Sequence, residues 1–389
     1  MTGIYQQAQS YFEYAQALRR DLHRHPELGF KEVRTAGIVA RELSLSGLDV
    51  TTGIAETGVV ALLKGEQPGP VVLLRFDMDA LPIQEQTGQA YASETPGVMH
   101  ACGHDGHVSI GLTTARMLAG MREAIHGTVK FVFQPAEEGQ GGAEKMLAEG
   151  VLESPQVTYA LALHLWNERP VGWVAVTSGA LMAGADIFEA RIEGNGGHGA
   201  LPQEATDPVV AMAQIITAAQ SIVSRNVSPL ESAVLSICQV RAGDAFNVIP
   251  SLAQMGGTLR TFSPQVRQRV IERFETLVHH TAEGLGCKAS VNIQRLTPAV
   301  MNEPVVADRI RGVVAQIPGL KVEDGYHTMV SEDMAFMLER VPGCYMMIGS
   351  GNPARGLTYG HHHPKFDFDE TALTNAAAVM VTAALELLK

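Results

Sequence analysis

The residues best equipped for chemistry stand in one stretch, Met99-His100-Ala101-Cys102-Gly103-His104-Asp105-Gly106-His107. It places a thiol, Cys102, within six positions of two imidazoles, His104 and His107. Gly103 and Gly106 let the backbone turn tightly enough for neighbouring side chains to converge. Val108, Ile110, Leu112, Ala115, Met117 and Leu118 follow at helical spacing, so the pattern predicts a loop opening onto a helix. On a helix Cys102 and His104, two apart, would diverge; in a loop both can face one ion. Taken alone, a Cys-x-His pair reads more readily as a buried thiol beside surface histidines than as a ligand pair. Further donors give it meaning: Asp77 and Asp79 after the apolar run Val71–Leu74, the pair Glu137-Glu138, His164 after Tyr159–Leu163, and the internal run His361-His362-His363.

The elements that must position these residues follow from periodicity. Residues 5–45 read as helical, interrupted at Asp21–Gly29, where Pro26 and Gly29 punctuate the pattern. Strands are expected at Thr57–Lys64, Val71–Phe76 and Gly127–Gln134. Tyr159–Leu163 reads as a further strand, ending at His164. Val71–Leu74 is apolar at successive positions, as in a strand buried on both faces. It delivers Asp77 and Asp79 at its carboxyl end, where open α/β sheets place ligands. With a helix at Ala143–Glu149, strands alternate with helices as in a doubly wound α/β sheet.

From Ala183 the pattern changes. Strand Ile187–Ile192, helix Asp207–Arg225, strands Ser232–Val240 and Gln254–Thr261, helix Ser263–Gly284 and strand Ala289–Leu296 make a β-α-β-β-α-β order, the ferredoxin-like arrangement. We therefore expect an inserted ferredoxin-like α+β domain over 183–295, and a discontinuous catalytic domain over 1–182 and 296–389. The latter resumes with helix Pro304–Gln316, a helix opened by Ser331-Glu332-Asp333, strand Cys344–Ile348 and a closing helix Thr371–Leu388.

At 389 residues, 46% hydrophobic and 18% charged, the chain suits a globular protein of two domains. A net charge of −12 disfavours nucleic acid and anionic membrane as partners, because both bind through clustered basic residues. No run of about 18 uncharged apolar residues predicts a membrane span. The polar, aromatic start lacks an apolar signal region, which points to the cytoplasm. Of the four cysteines, Cys102, Cys238, Cys287 and Cys344, only Cys102 stands among other potential ligands, and none forms a CxxC pair.

Six motifs now stand in order: Asp77-Met-Asp-Ala-Leu-Pro82, His100-Ala-Cys-Gly-His-Asp-Gly-His107, Gln134-Pro-Ala-Glu-Glu-Gly139, Leu163-His164, Gly196-Gly-His-Gly199 and His362-His-Pro-x-Phe-Asp367. Jointly they resemble the amidohydrolase branch of the aminoacylase and glutamate-carboxypeptidase superfamily of metallopeptidases, from about Asp21 to the C-terminus. That branch includes hippurate hydrolases, N-acyl-amino-acid amidohydrolases, N-acetyldiaminopimelate deacetylases and auxin-conjugate hydrolases. The resemblance implies metal ligands at Cys102, His104, Glu138, His164 and His362, with Glu137 as catalytic carboxylate. It makes Asp79 the residue that orients a ligand and leaves the role of Asp77 open. The His-x-Pro pattern selects His362 from the three tail histidines, with His361 and His363 as the alternatives. His198 resembles a lid histidine that reaches the tetrahedral oxyanion, from the same chain or from a partner subunit. Arg260, assisted by Asn247, is a candidate for the substrate's carboxylate.

One thiolate, three imidazoles and a carboxylate are too many for a single open tetrahedral centre. They suit two divalent ions about 3.5–4 Å apart sharing a bridging water. Thiolate and imidazole favour zinc, and the resemblance also admits manganese, cobalt or nickel. The expected reaction is cleavage of the amide bond of an N-acyl amino acid by a metal-bridging hydroxide, with Glu137 as general base. The expected assembly is a homodimer or a higher homo-oligomer. Two rival readings use the same residues: a thiol amidase in which His104 or His107 activates Cys102, and a metal-binding scaffold without turnover. Neither gives Glu137 a task.

Overall fold

A computed structural model describes residues 2–389. The chain forms two compact units. One comprises Met1–Leu181, Met301–His327 and Asp333–Lys389; the other comprises Met182–Val300 and Thr328–Glu332.

The first unit is built on an eight-stranded sheet. Its order is Asp49–Ile54, Gly58–Lys64, His126–Gln134, Gln67–Asp77, Tyr159–Pro170, Gly343–Gly351, Trp173–Ala175 and Lys321–Glu323. The third to sixth strands of that order run parallel, and parallel strands need both faces covered. Val72, Leu73 and Leu74, Phe131 to Phe133, Ala160 to Leu165, and every residue of Gly343–Gly351 are accordingly buried. Helices His104–Ala119 and Thr371–Leu387, both apolar over most of their surface, pack on each other and on these strands. Gly111 permits the close approach: a Cβ there would stand 2.7 Å from Phe76 and 2.8 Å from Phe133. The mixed α/β architecture agrees with the alternation of strand and helix in the sequence.

Two differences matter. Asp49–Ile54 is an antiparallel edge strand, mostly exposed. Its polar residues carry no apolar alternation, so the periodicity missed it. The strand at Tyr159 does not end at His164 but runs to Pro170, because Gly343–Gly351 keeps pairing with it, Met347 opposite His164 and Gly351 opposite Pro170. On its other side the ladder stops at Arg75 opposite Ala162. His164 therefore lies in mid-strand, beside the point where the neighbouring strand ends at Asp77.

The second unit carries a four-stranded antiparallel sheet in the order Ala233–Ala242, Leu252–Thr261, Gly184–Glu193, Lys288–Thr297. With helices Pro208–Asn226 and Pro264–Gly284, this is the ferredoxin-like strand order. Each helix starts at an X-Pro step whose polar residue caps it: Asp207 accepts from the Val209 N–H at 2.8 Å, and Ser263 from the Val266 N–H at 3.3 Å. Phe188, Ile192, Ile215, Ile222 and Phe274 form its core. A two-stranded ribbon, Gly197–His198 against Val248–Ile249, extends from this sheet. Among the described residues no helix is long and apolar enough to cross a membrane.

Candidate active site

Four segments of the first unit converge at the carboxyl end of Gln67–Asp77. The turn before helix His104–Ala119 requires Gly103, whose φ is +92°; a side chain there would be strained. The helix begins at His104, so Cys102 lies in the turn and His104 in the first helical position. The second segment leaves strand His126–Gln134 through Pro135 and Ala136. Ala136 adopts φ +55°, and its N–H donates to the buried carboxyl of Glu32 at 2.9 Å. Glu137 and Glu138 follow. His164 comes from the third segment and the tail histidines from the fourth.

Side-chain geometry assigns each imidazole a separate task. His104 donates Nδ1–H to the Asp79 carbonyl at 2.9 Å, with the Asp79 carboxylate 3.2 Å away. That leaves its buried Nε2 without a hydrogen-bond partner. Asp79 also accepts the Glu138 N–H at 3.0 Å, so a single buried carboxylate orients both the ring and the carboxylate segment. His164 donates Nδ1–H to the Leu165 carbonyl at 2.6 Å and turns Nε2 towards Cys102 Sγ at 3.4 Å. In the tail, His361 Nε2 donates to the Leu165 carbonyl at 2.9 Å, and its ring stacks on Trp166. His363 Nδ1 accepts the Lys365 N–H at 3.0 Å. Only His362 of the three points Nε2 at Glu138, 3.3 Å from Oε1. The ligand atoms fall into overlapping groups, Cys102–His104–His164, Cys102–Glu138–His362 and His104–Glu137–Glu138, each within 4.8 Å.

The electrostatics call for cations. Burial, then Glu138, Glu137 and Asp77, hold the Cys102 thiol well above its ordinary value. Burial would lower His104, but Asp77, Asp79 and Glu138 outweigh it and raise the ring to about 10. The hydrogen bond to Glu138 raises His362 against the effect of burial. In the chain alone a proton on His104 supplies positive charge; divalent cations would supply it instead, freeing the ring nitrogen and the thiolate as ligands. The residues fit a metal centre. They do not suit a thiol nucleophile, which needs a lowered thiol pKa; burial and the neighbouring carboxylates hold Cys102 in the opposite direction.

Around this centre lie residues that pattern reading passed over. Arg19, fully buried, donates to Asp105 at 2.8 Å and Asp367 at 2.7 Å, tying the start of the His104 helix to the tail. His23 accompanies it 2.7 Å from Asp105 and is no part of the ligand groups. Arg75 and His107 enclose Asp77. Of these, only His107, one helical turn from His104, carried a spacing signal.

In the second unit, His198 and Asn247 lie together: the Asn247 carbonyl accepts the Gly199 N–H at 2.7 Å. His198 is exposed, and its Nδ1 accepts the Ala200 N–H at 3.0 Å, so its Nε2 carries the proton. Arg260 is elsewhere, opposite Ala185 and 3.3 Å from the Ser331 hydroxyl. Eight residues of strand, about 27 Å at about 3.4 Å each, separate it from Leu252, the end beside which the His198 ribbon is attached. The expected assistance of Arg260 by Asn247 is therefore not made within one chain.

A buried thiol, imidazole and carboxylate cluster at the end of a parallel sheet defines a metallohydrolase centre. The chain belongs to the Peptidase family M20/M25/M40, whose model matches residues 73–386. It is 41% identical over 375 residues to the N-acetylcysteine deacetylase of Bacillus subtilis (strain 168), covering 96% of both chains. To the IAA-amino acid hydrolase ILR1-like 2 of Arabidopsis thaliana it is 38% identical over 387 residues, covering 97% of this chain and 86% of that one. Among solved structures, the Bacillus subtilis YXEP protein, a dinuclear metal binding peptidase from the M20 family, superposes with a TM-score of 0.87 at 37% identity, over 98% of this chain and 99% of that one. The chain is thus a metal-dependent amidohydrolase of this family.

Proposed function

We propose that the chain hydrolyses the amide bond of N-acyl amino acids at a centre of two divalent ions held by Cys102, His104, Glu138, His164 and His362. The overlap of the ligand groups, with Cys102, His104 and Glu138 each in two of them, carries this reading, because shared donors suit adjacent ions. Thiolate and imidazoles favour zinc, and the carboxylates also accommodate manganese; cobalt and nickel are further candidates. Bound there, the ions would polarise the amide carbonyl and acidify the attacking water. Glu137, beside Glu138 and half-buried, takes that water's proton and returns it to the departing amine. Asp79 keeps His104 and the Glu138 segment in place throughout.

The second unit acts as lid and dimerisation domain. Its Nε2–H makes His198 a donor for the tetrahedral oxyanion. Arg260 receives the substrate carboxylate, and His198 acts from its own chain or from a partner subunit. Ala233–Ala242, an edge strand exposed over its second half, is where a second copy pairs. All four cysteines are free, in keeping with a reducing cytoplasm.

The substrate class is supported by the names of two relatives, a deacetylase of N-acetylcysteine and a hydrolase of IAA-amino acids. The test is a hydrolysis screen of zinc- or manganese-loaded protein on N-acetyl and N-benzoyl amino acids, each paired with an amide lacking the α-carboxylate. Turnover should favour the carboxylates by about 10-fold or more, the worth of one charged hydrogen bond. Equal rates on both members of each pair would overturn the substrate reading.

A further inference from the structure

We propose that Arg75, Asp77 and His107 form a positioning relay that sets the Leu165 peptide and, through it, the orientation of His164. The inference rests on the reading of His164 as a metal ligand.

The hydrogens in this chain of contacts can be placed without ambiguity, because both of its ends are donors. At one end the Arg75 guanidinium donates Nη1–H to Asp77 Oδ2 at 2.6 Å. At the other, the Leu165 N–H donates to His107 Nε2 at 3.0 Å. Since Nε2 accepts, the His107 proton is on Nδ1 and is donated to Asp77 Oδ1 at 2.6 Å. Asp77 accepts from both sides, so the two donor ends are reconciled by one carboxylate. All three side chains are buried, where a misplaced proton finds no water to correct it. Arg75 is itself held by Gln134 at 2.9 Å and Asp333 at 2.8 Å.

That N–H closes the peptide between His164 and Leu165, and the next peptide opens with the Leu165 carbonyl. This carbonyl accepts Nδ1–H of His164 at 2.6 Å and Nε2–H of His361 at 2.9 Å. The first bond leaves the His164 lone pair on Nε2, facing Cys102. The second, with the stack on Trp166, keeps His361 away from the ligand atoms. Anchoring the Leu165 N–H fixes the plane of the peptide that leaves His164, and so the backbone from which both the His164 ring and the Leu165 carbonyl project. His107 is thus not a ligand, although Asp77, His104 and His107 lie close enough to form a group; both its nitrogens are committed. It is a positioning residue.

Asp77→Asn is the sharpest probe. Arg75 can only donate, so the new amide must keep its oxygen towards Arg75 and present its NH2 to His107. That forces the His107 proton onto Nε2, against the Leu165 N–H. His107→Phe removes the acceptor altogether, whereas His107→Gln restores an oxygen near the place of Nε2. Zinc affinity is measured on metal-stripped full-length protein by competition with a chromophoric chelator, with thermal melting as a check on folding. Asp77→Asn and His107→Phe should bind zinc about 10- to 100-fold more weakly, and His107→Gln should recover most of that loss. A purely structural role would lower the melting temperature of His107→Phe and His107→Gln alike and leave their zinc affinities equal. Equal affinities for those two variants, or wild-type affinity in Asp77→Asn, would overturn the relay. His164→Ala is the control: if it too binds zinc at wild-type strength, the ligand reading fails; if it alone loses zinc, only the relay fails.

Discussion

The centre around Cys102 and the ribbon bearing His198 present their functional side chains in opposite ways. At the centre the buried rings are held by second groups, His104 by Asp79 and His164 by the Leu165 carbonyl, while the exposed His362 is met by Glu138. On the ribbon, His198 is exposed and anchored only by a local contact two residues away. Metal ligands gain affinity from rigid preorganisation. A donor that must reach an oxyanion as a substrate is enclosed gains from being mounted on a separate, exposed element. Damage at the centre should therefore show in metal content, and damage on the ribbon in turnover alone.

The largest effect expected is from Glu137→Gln, which removes the proton carrier and no ligand. kcat should fall by about 10²- to 10⁴-fold with bound metal unchanged; near-normal turnover would remove Glu137 from the mechanism. Next comes His198→Ala. Loss of one oxyanion donor should lower kcat by about 10²-fold, while metal content and melting temperature stay at wild-type values because the ring is exposed. A loss of metal in this variant would erase the contrast between the two regions. Mixing His198→Ala with Glu137→Gln sharpens it: if His198 serves the partner's centre, mixed dimers regain part of the activity that each variant lacks. No recovery in a confirmed mixed dimer would assign His198 to its own chain.

Arg260→Ala should raise KM for N-acyl amino acids by about 10-fold or more and leave kcat and neutral amides little changed. Equal loss on both substrate types would reduce Arg260 to a structural partner of Ser331.

The smallest effect is in pH dependence. In the metal-free protein His104 is raised to about 10, burial being outweighed by Asp77, Asp79 and Glu138. A raised folded-state pKa contributes stability that is complete below the unfolded value, about 6.5, and is lost as pH rises towards the folded one. The urea midpoint of stripped protein should thus fall between about pH 7 and pH 10. Bound metal takes the place of that proton, so loaded protein should show a flatter profile. Parallel profiles for the two forms would contradict the placement of His104 at the metal.

How much of this was legible in the sequence differed between segments for physical reasons. Cys102, His104, Glu137 and Glu138 stand at element boundaries marked by glycine and proline, and local pattern locates them. The α/β alternation was legible because buried parallel strands are apolar at every position, as in Val71–Leu74. His164 was identified as a residue but misplaced in its strand, since strand length depends on the partner Gly343–Gly351, far away in the chain. The same limit hid Arg75 and Arg19 and the role of His107, whose partners come from distant segments such as Asp333, Asp367 and Leu165. The three tail histidines are identical in type and consecutive. The His-x-Pro pattern of the resembled family selected His362 among them, whereas the partners of the other two, the Leu165 carbonyl for His361 and the Lys365 N–H for His363, carry no sequence signal. Thr328–Glu332 shows no periodicity that would assign it to the second unit.

The most direct measurement is a zinc or manganese titration of chelator-stripped protein, following bound metal and hydrolysis of an N-acyl amino acid together. Two ions should bind per chain, with activity absent at the start and complete only as the second site fills. Activity in fully stripped protein, or full activity with a single ion bound, would contradict the paired-ion centre.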